Sequence, residues 1–242
     1  MFERGARDDP VVEPVHWDRA GWFAVTDLVR PASLRRKARK EQWAVRAGTM
    51  RDGAWLLAPM AFITVSGGDA PVYHLYDATH PETSLCSATP ERNGARYRVT
   101  DGQDRELGVL HRTPAAKRTV QHDWWFRLPD HADIVASYHW TRVTAKEVAA
   151  RGKQRVAHEA SELVGSVVQS FVSLGIDGGG DERGRIHVPK PVAWRAEGEP
   201  EPMVLTSGQV EGIRAYRPLA GWLDLRLAYT LAVVREAAKG PR

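Results

Sequence analysis

The chain has 242 residues, of which 43% are hydrophobic, and its formal net charge of +4 at pH 7 makes it mildly basic. This composition predicts a soluble globular protein with a sizeable core, and the charge is too small to require a polyanionic partner. No apolar run approaches the roughly 20 residues that a membrane span requires, and the N-terminal MFERGARDDP lacks the apolar core of a signal peptide, so we expect a cytoplasmic protein.

Residues 1–15 are charged and contain proline, which predicts a flexible lead-in to a single domain at 16–242. The one cysteine, Cys86, excludes an internal disulfide and a cysteine-based zinc cage, in agreement with a reducing compartment. We interpret Cys86 as a small buried side chain rather than a reactive thiol.

A cluster of basic residues follows the lead-in, within SLRRKARKEQW. Its members are Arg35, Arg36, Lys37, Arg39 and Lys40. Arginine offers a planar fork of donors that matches phosphate oxygens, so the cluster is a candidate anion-binding site. The alternative is a solvated basic surface with no ligand.

Three pairs of segments rich in β-favouring residues flank turn sequences, and each pair predicts a β-hairpin. The first two surround the Asp-Gly turns RDG (51–53) and DGQD (101–104), and the third surrounds PDHA (129–132). The segments PVYHLYDA (71–78) and MVLTSGQVEGIRAYRP (203–218) predict further strands. We expect about ten to twelve short antiparallel strands, which a closed barrel would leave without exposed edges.

Three histidines, His122, His131 and His139, lie on or beside the third hairpin, with acidic residues nearby. Facing strands could bring two imidazoles together to bind a metal ion, but the spacing matches no metal-binding motif. Exposed strand and turn histidines are the simpler interpretation, and we predict no metal or other cofactor.

Residues 144–175 have the periodicity of an amphipathic helix inserted among the strands. The apolar residues that recur every three or four positions are Val156, Ala160, Leu163, Val167, Phe171 and Leu174. Thr144 and Glu147 have the spacing of a capping box, and Gly175 suits a C-terminal stop. The apolar stripe either packs against its own domain or forms the contact of a homodimer.

A second helix, predicted at 222–238, has no polar face. Between Leu225 and Val234 only Arg226 and Thr230 interrupt the apolar residues, so this helix should be buried on nearly all sides. A barrel of antiparallel strands would bury it if the helix passed through the middle. The sequence therefore predicts a mainly β (α+β) fold with a hydrophobic helix at its centre.

This combination resembles the tubby-like superfamily, which includes the tubby C-terminal domain, the phospholipid scramblases and the LURP-one-related proteins. The similar segments are ARYRVTDGQDRELGVLHRT (95–113), HDWWFRLPDHADIVAS (122–137) and the final helix LDLRLAYTLAVV (223–234). The resemblance covers roughly residues 43–140 and 203–238 and consists of patterns of residue class. It implies a strand barrel wrapped around the C-terminal helix, with the helix at 144–175 as an insertion.

The resemblance implies a non-enzymatic domain that binds an anionic ligand, such as a lipid head group or a phosphate-containing group, or a protein partner at the cytoplasmic face of a membrane. Tubby proteins bind phosphoinositide head groups through basic side chains on the barrel. No counterpart of a scramblase's calcium site or proline-rich tail is evident, so lipid scrambling is not expected. The alternatives are nucleic-acid binding through the cluster Arg35 to Lys40, with a steep salt dependence, and a metal-dependent enzyme on the histidine hairpin.

Overall fold

The computed structural model describes residues 11–19, 21–32, 37–51, 54–92, 94–113, 124–138, 192–210 and 212–238. The predicted inserted helix at 144–175, with its capping box and its dimer contact, lies outside these residues. So do residues 1–10 of the predicted lead-in. Residues 11–15 form neither helix nor strand, and the Val15 N–H donates a hydrogen bond to the Pro59 carbonyl at 2.9 Å.

The described residues contain twelve strands. In chain order they are β1 (Phe23–Arg30), β2 (Arg39–Arg51), β3 (Ala54–Ser66), β4 (Val72–Asp77), β5 (Ser84–Glu91), β6 (Arg96–Asp101), β7 (Glu106–Arg112), β8 (Trp124–Arg127), β9 (Ile134–Tyr138), β10 (Val192–Ala196), β11 (Met203–Val210) and β12 (Ile213–Pro218). Each strand pairs antiparallel with the next along the chain, and β1 also pairs with β12, which closes the barrel.

All three predicted hairpins are confirmed: β2 pairs with β3, β6 with β7, and β8 with β9. The predicted strands at 71–78 and 203–218 are also present, as β4 and as the hairpin β11–β12. The sequence did not single out β1, β5 or β10. The β5 segment SLCSATPE is rich in small polar residues and contains a proline, so its β propensity is weak.

One helix, α1 (Leu225–Ala237), passes through the barrel within the predicted range 222–238. The Asp224 side chain caps its first turn by accepting a hydrogen bond from the Arg226 N–H at 2.9 Å. Nine consecutive residues, 227–235, are buried, and the helix contacts β1, β4, β5, β7, β8 and β12. The expectation that it is buried on nearly all sides is therefore confirmed.

A charged side chain of α1 is also buried inside the barrel. Arg235 is 7% exposed, and its Nη1 donates a hydrogen bond to Ser207 Oγ at 3.0 Å. The guanidinium group lies over the rings of Trp194 and Tyr216, at 5.2 and 5.6 Å from their centroids. Burial is the largest influence on Arg235 and lowers its pKa from the ordinary arginine value.

Candidate functional site

The described residues include three of the five members of the predicted basic cluster. Two of its five members lie outside the described residues, namely Arg35 and Arg36. Lys37 is exposed, whereas Arg39 and Lys40 begin β2 and each forms an ion pair. Arg39 pairs with Glu41 at 2.5 Å, and Lys40 pairs with Asp27 at 2.8 Å. These carboxylates offset part of the positive charge on which anion binding would depend.

A second group of cations lies on the outer surface of β6, β7 and β8. We call this surface the basic face; its residues are Arg96, Arg98, Val109, His111, Trp125 and Arg127. They alternate along their strands with Tyr97, Val99, Leu110 and Phe126, which belong to the barrel core. Since successive side chains of a strand point to opposite faces, the residues of the basic face point outward.

One row of the basic face places two arginines on either side of a valine. Val109 pairs with Arg98 on one side and with Arg127 on the other. Neighbouring strands lie about 4.8 Å apart, so the two arginine backbones are separated by roughly 10 Å. The arginine side chains are 51% and 54% exposed, whereas Val109 is 6% exposed and forms an apolar floor between them.

The adjacent row contains an aromatic stack. His111 pairs with Arg96 on one side and with Trp125 on the other. The His111 and Trp125 rings are nearly parallel, with an interplanar angle of 8° and centroids 4.0 Å apart. His111 is two residues beyond Val109 along the same strand, so its ring borders the space between Arg98 and Arg127.

Two carboxylates hold the arginines of the basic face in place. Glu91 forms an ion pair with Arg96, with 3.1 Å between Oε2 and Nε, and its Oε1 lies 3.7 Å from Arg98 Nε. Asp133 accepts a hydrogen bond from Arg127 Nε at 2.6 Å. All three contacts use Nε, which carries one of the five guanidinium N–H groups. The arginines are thereby oriented while most of their donor capacity lies in the Nη groups at their tips.

The basic face has more arginines than carboxylates, and this excess of positive charge affects the pKa of His111. Burial is the largest cause that lowers the pKa of His111 below its usual value. Arg96, Arg127 and Arg92 lower the pKa further, and only Asp133 opposes them. Burial and the neighbouring arginines both favour the neutral form of the imidazole.

The basic face can bind an oxyanion. Guanidinium groups form charge-assisted hydrogen bonds with phosphate, sulfate and carboxylate oxygens, frequently two at a time. Arg98 and Arg127 extend from strands on both sides of Val109, so a single anion above that residue could contact both. The sequence carries a signal for only part of this site: Arg96 and Arg98 alternate in β6, and the DGQD turn places Arg96 opposite His111, whereas Arg127 comes from another hairpin.

Only one of the three histidines of the predicted histidine hairpin lies within the described residues. His122 and His139 lie outside the described residues. His131 occupies the turn between β8 and β9, where its Nδ1 lies 3.2 Å from Glu199 Oε1 and its ring stacks on Trp222 at 4.3 Å. Within the described part of the chain, no group of three or more His, Cys, Asp or Glu side chains is arranged to bind a metal. His131 thus links the β8–β9 turn to Glu199 in the β10–β11 turn and to Trp222, which lies three residues before the start of α1.

The interpretation of Cys86 as a buried side chain is confirmed. Its sulfur lies 3.5 Å from the Thr230 hydroxyl of α1. Burial raises the pKa of the Cys86 thiol to about 12, which keeps it protonated near neutral pH. A protonated thiol inside the barrel is a poor nucleophile.

Among the described helices, none has the length and apolar character needed to cross a membrane. Comparison with protein-family models, with curated proteins and with solved structures finds no match to this chain.

Proposed function

We propose that this protein is a non-enzymatic, tubby-like barrel that binds an anionic ligand bearing phosphate-type oxygens, such as the head group of a lipid at a membrane surface. The observation that carries the proposal is the row Arg98, Val109 and Arg127, in which two exposed guanidinium groups flank an apolar floor. Arg96 and His111 in the adjacent row extend the positive surface. Such a surface suits a peripheral, salt-sensitive association with anionic membranes.

A role as a binding protein is also consistent with the chemistry of the interior. The barrel is filled by α1 and by apolar strand residues, and the thiol of Cys86 is buried and protonated. The basic face carries arginines and aromatic rings, which are groups that bind ligands without reacting. We therefore place the function on the outer surface of the barrel.

Removing two cations from the basic face, and two from the predicted cluster, tests which of them binds the anion. The double variant Arg98→Gln, Arg127→Gln removes two charges from the basic face, and Lys37→Gln, Lys40→Gln removes two from the predicted cluster. An arginine near an anionic membrane contributes about 1 kcal/mol, so the first variant should bind about thirtyfold more weakly, a loss of roughly 2 kcal/mol. Cosedimentation with phosphatidylcholine vesicles, with and without a phosphoinositide, measures the effect.

Both double variants should keep the thermal stability of the unchanged protein, since the altered side chains are exposed. If only the lysine variant loses vesicle binding, the anion site is the cluster Arg35 to Lys40. If the unchanged protein does not distinguish the two kinds of vesicle at any salt concentration, the proposal is wrong.

Nucleic-acid binding is the second candidate. The stack of His111 and Trp125 beside arginines is the observation that favours it, because aromatic rings next to cations bind unpaired bases. Single-stranded DNA should then bind with a steep salt dependence and should lose affinity in Trp125→Leu. Equal affinity of that variant and the unchanged protein would count against this candidate.

A further inference from the structure

His111 lies at the centre of the basic face, on the middle one of its three strands. Its strand β7 runs between β6 and β8, and its cross-strand neighbours are Arg96 and Trp125. Trp125 covers one face of the ring. Within the described ranges, no hydrogen bond or ion pair of the structure involves a ring nitrogen of His111. The described part of the barrel thus makes no polar contact with these nitrogens.

Among the described residues, the charged groups around His111 lie on the strands and turns that pack beside it. Arg96 and Arg98 lie on β6. The carboxylate of Glu91 lies at the end of β5, and Arg92 follows in the next turn. From the β8 side the charged groups are Arg127 and Asp133. The four arginines outnumber the two carboxylates, so the region around the ring carries excess positive charge. A doubly charged oxyanion between Arg98 and Arg127 would cancel that excess.

We propose that His111 is a specificity-determining residue of the basic face: it takes up a proton from solvent when a doubly charged oxyanion binds, and it donates a hydrogen bond to that anion. The inference rests on the proposed function, because it assumes that an anion binds between the two arginines. The ligand class is a dianion, such as a phosphate monoester or a sulfate. The guanidinium groups largely compensate the charge of a monoanion, so little negative charge remains to stabilise the imidazolium.

Proton uptake by His111 and anion binding between the two arginines are thermodynamically linked. Without ligand, the surrounding arginines disfavour the imidazolium. The bound dianion attracts it, so the pKa of His111 is higher in the complex than in the free protein. Because linkage is reciprocal, an anion that raises this pKa must itself bind more tightly as the pH falls through the interval between the two values.

The test uses inorganic sulfate, whose charge stays constant across the range in which histidine titrates. The pKa of His111 is measured in the full chain by NMR titration of the ring protons, with and without sulfate, and His111→Gln identifies the resonance. Sulfate should raise the pKa of His111 by about half a unit to one unit. Methyl sulfate, a monoanion of similar chemistry, should raise it clearly less.

Sulfate affinity provides an independent readout. In the unchanged protein the affinity should be about threefold to tenfold higher near pH 5 than near pH 8, as the expected pKa change requires. His111→Gln keeps a polar planar group that does not titrate, so its affinity should not vary with pH. Arg127→Gln should weaken sulfate binding at both pH values.

The outcomes separate the two proposals. If sulfate shifts the resonances of the arginine side chains but leaves the pKa of His111 unchanged, the anion site stands and the role of His111 is wrong. If sulfate and anionic vesicles both leave the protein unaffected, the anion site itself is wrong. If sulfate and methyl sulfate raise the pKa equally, the preference for dianions is overturned.

Discussion

Gly108 shows how one residue allows the barrel to close around its helix. It lies in β7, where a Cβ atom would be 2.3 Å from the Arg127 carbonyl oxygen of β8 and 2.9 Å from Leu227 Cδ2 of α1. The first neighbour is backbone, which cannot move without breaking the ladder between β7 and β8. A hydrogen atom is therefore the only substituent that fits at this position.

We expect Gly108→Ala to destabilise the protein by about 1–3 kcal/mol, the usual cost of overpacking a filled core. Urea denaturation followed by circular dichroism measures the free energy of unfolding. Gly208→Ala in β11 is the matched control, because a Cβ atom there has no neighbour within 4 Å. Equal stabilities of the two variants would show that the barrel relaxes around the added methyl group.

At the scale of elements, α1 is the structural centre of the fold. Its apolar residues meet strands from both sides of the barrel, and its two polar interruptions are satisfied locally. The Thr230 hydroxyl donates to the Arg226 carbonyl at 2.8 Å, and the Arg226 guanidinium pairs with Asp224 at 2.6 Å. The strands thus cover a helix that has no polar face of its own.

Replacing Leu231 by Asp should prevent folding. Leu231 is fully buried at 0% exposure, and an unpaired carboxylate there costs an amount comparable to the stability of a domain, about 5–15 kcal/mol. Ala238→Asp places the same charge at the exposed end of the helix and should cost less than about 1 kcal/mol. Soluble expression and thermal melting distinguish the two variants.

Deleting the chain from Trp222 onward extends this prediction, because it empties the barrel. The shortened protein should be insoluble or unfolded. A soluble product with an unchanged far-UV spectrum and a cooperative melt would mean that α1 is peripheral, and the tubby-like interpretation would lose its main support.

At the scale of the whole molecule, the closed barrel changes how the protein responds to alkali. Burial is the largest cause that raises the pKa values of Tyr73, Tyr97, Tyr216 and Tyr229, and for Tyr73 the value reaches about 12. In the unfolded chain these phenols titrate near their ordinary pKa of about 10. The folded state therefore holds more protons than the unfolded state above that pH.

The stability that these tyrosines contribute should be fully present below about pH 10 and should be lost as the pH rises toward the folded values. The melting temperature should fall between about pH 10 and about pH 12, with phenolate absorbance appearing as the protein unfolds. Tyr73→Phe, which cannot ionise, should show a smaller fall over the same interval. A melting temperature that does not change would mean that the phenols ionise within the folded barrel.

Local chemistry was enough to predict much of the architecture. The Asp-Gly turns at 51–53 and 101–104 specify hairpins because the turn residues and the flanking β-formers are adjacent in the chain. The burial of α1 follows from its composition alone, since an exposed apolar helix of this kind would aggregate. By contrast, β5 and β10 have weak or short patterns and are strands because their neighbours pair with them on both sides.

The basic face required the tertiary structure. Arg98, Val109 and Arg127 are separated by 11 and 18 positions in the chain, and only the register of three strands places them in one row. The burial of Arg235 depended in the same way on Trp194 and Tyr216, which lie on two other strands. The sequence by itself determined which segments form hairpins and which helix must be buried, because these depend on residues adjacent in the chain. The tertiary structure alone decided which charges meet, because cross-strand register is set by pairing between distant segments.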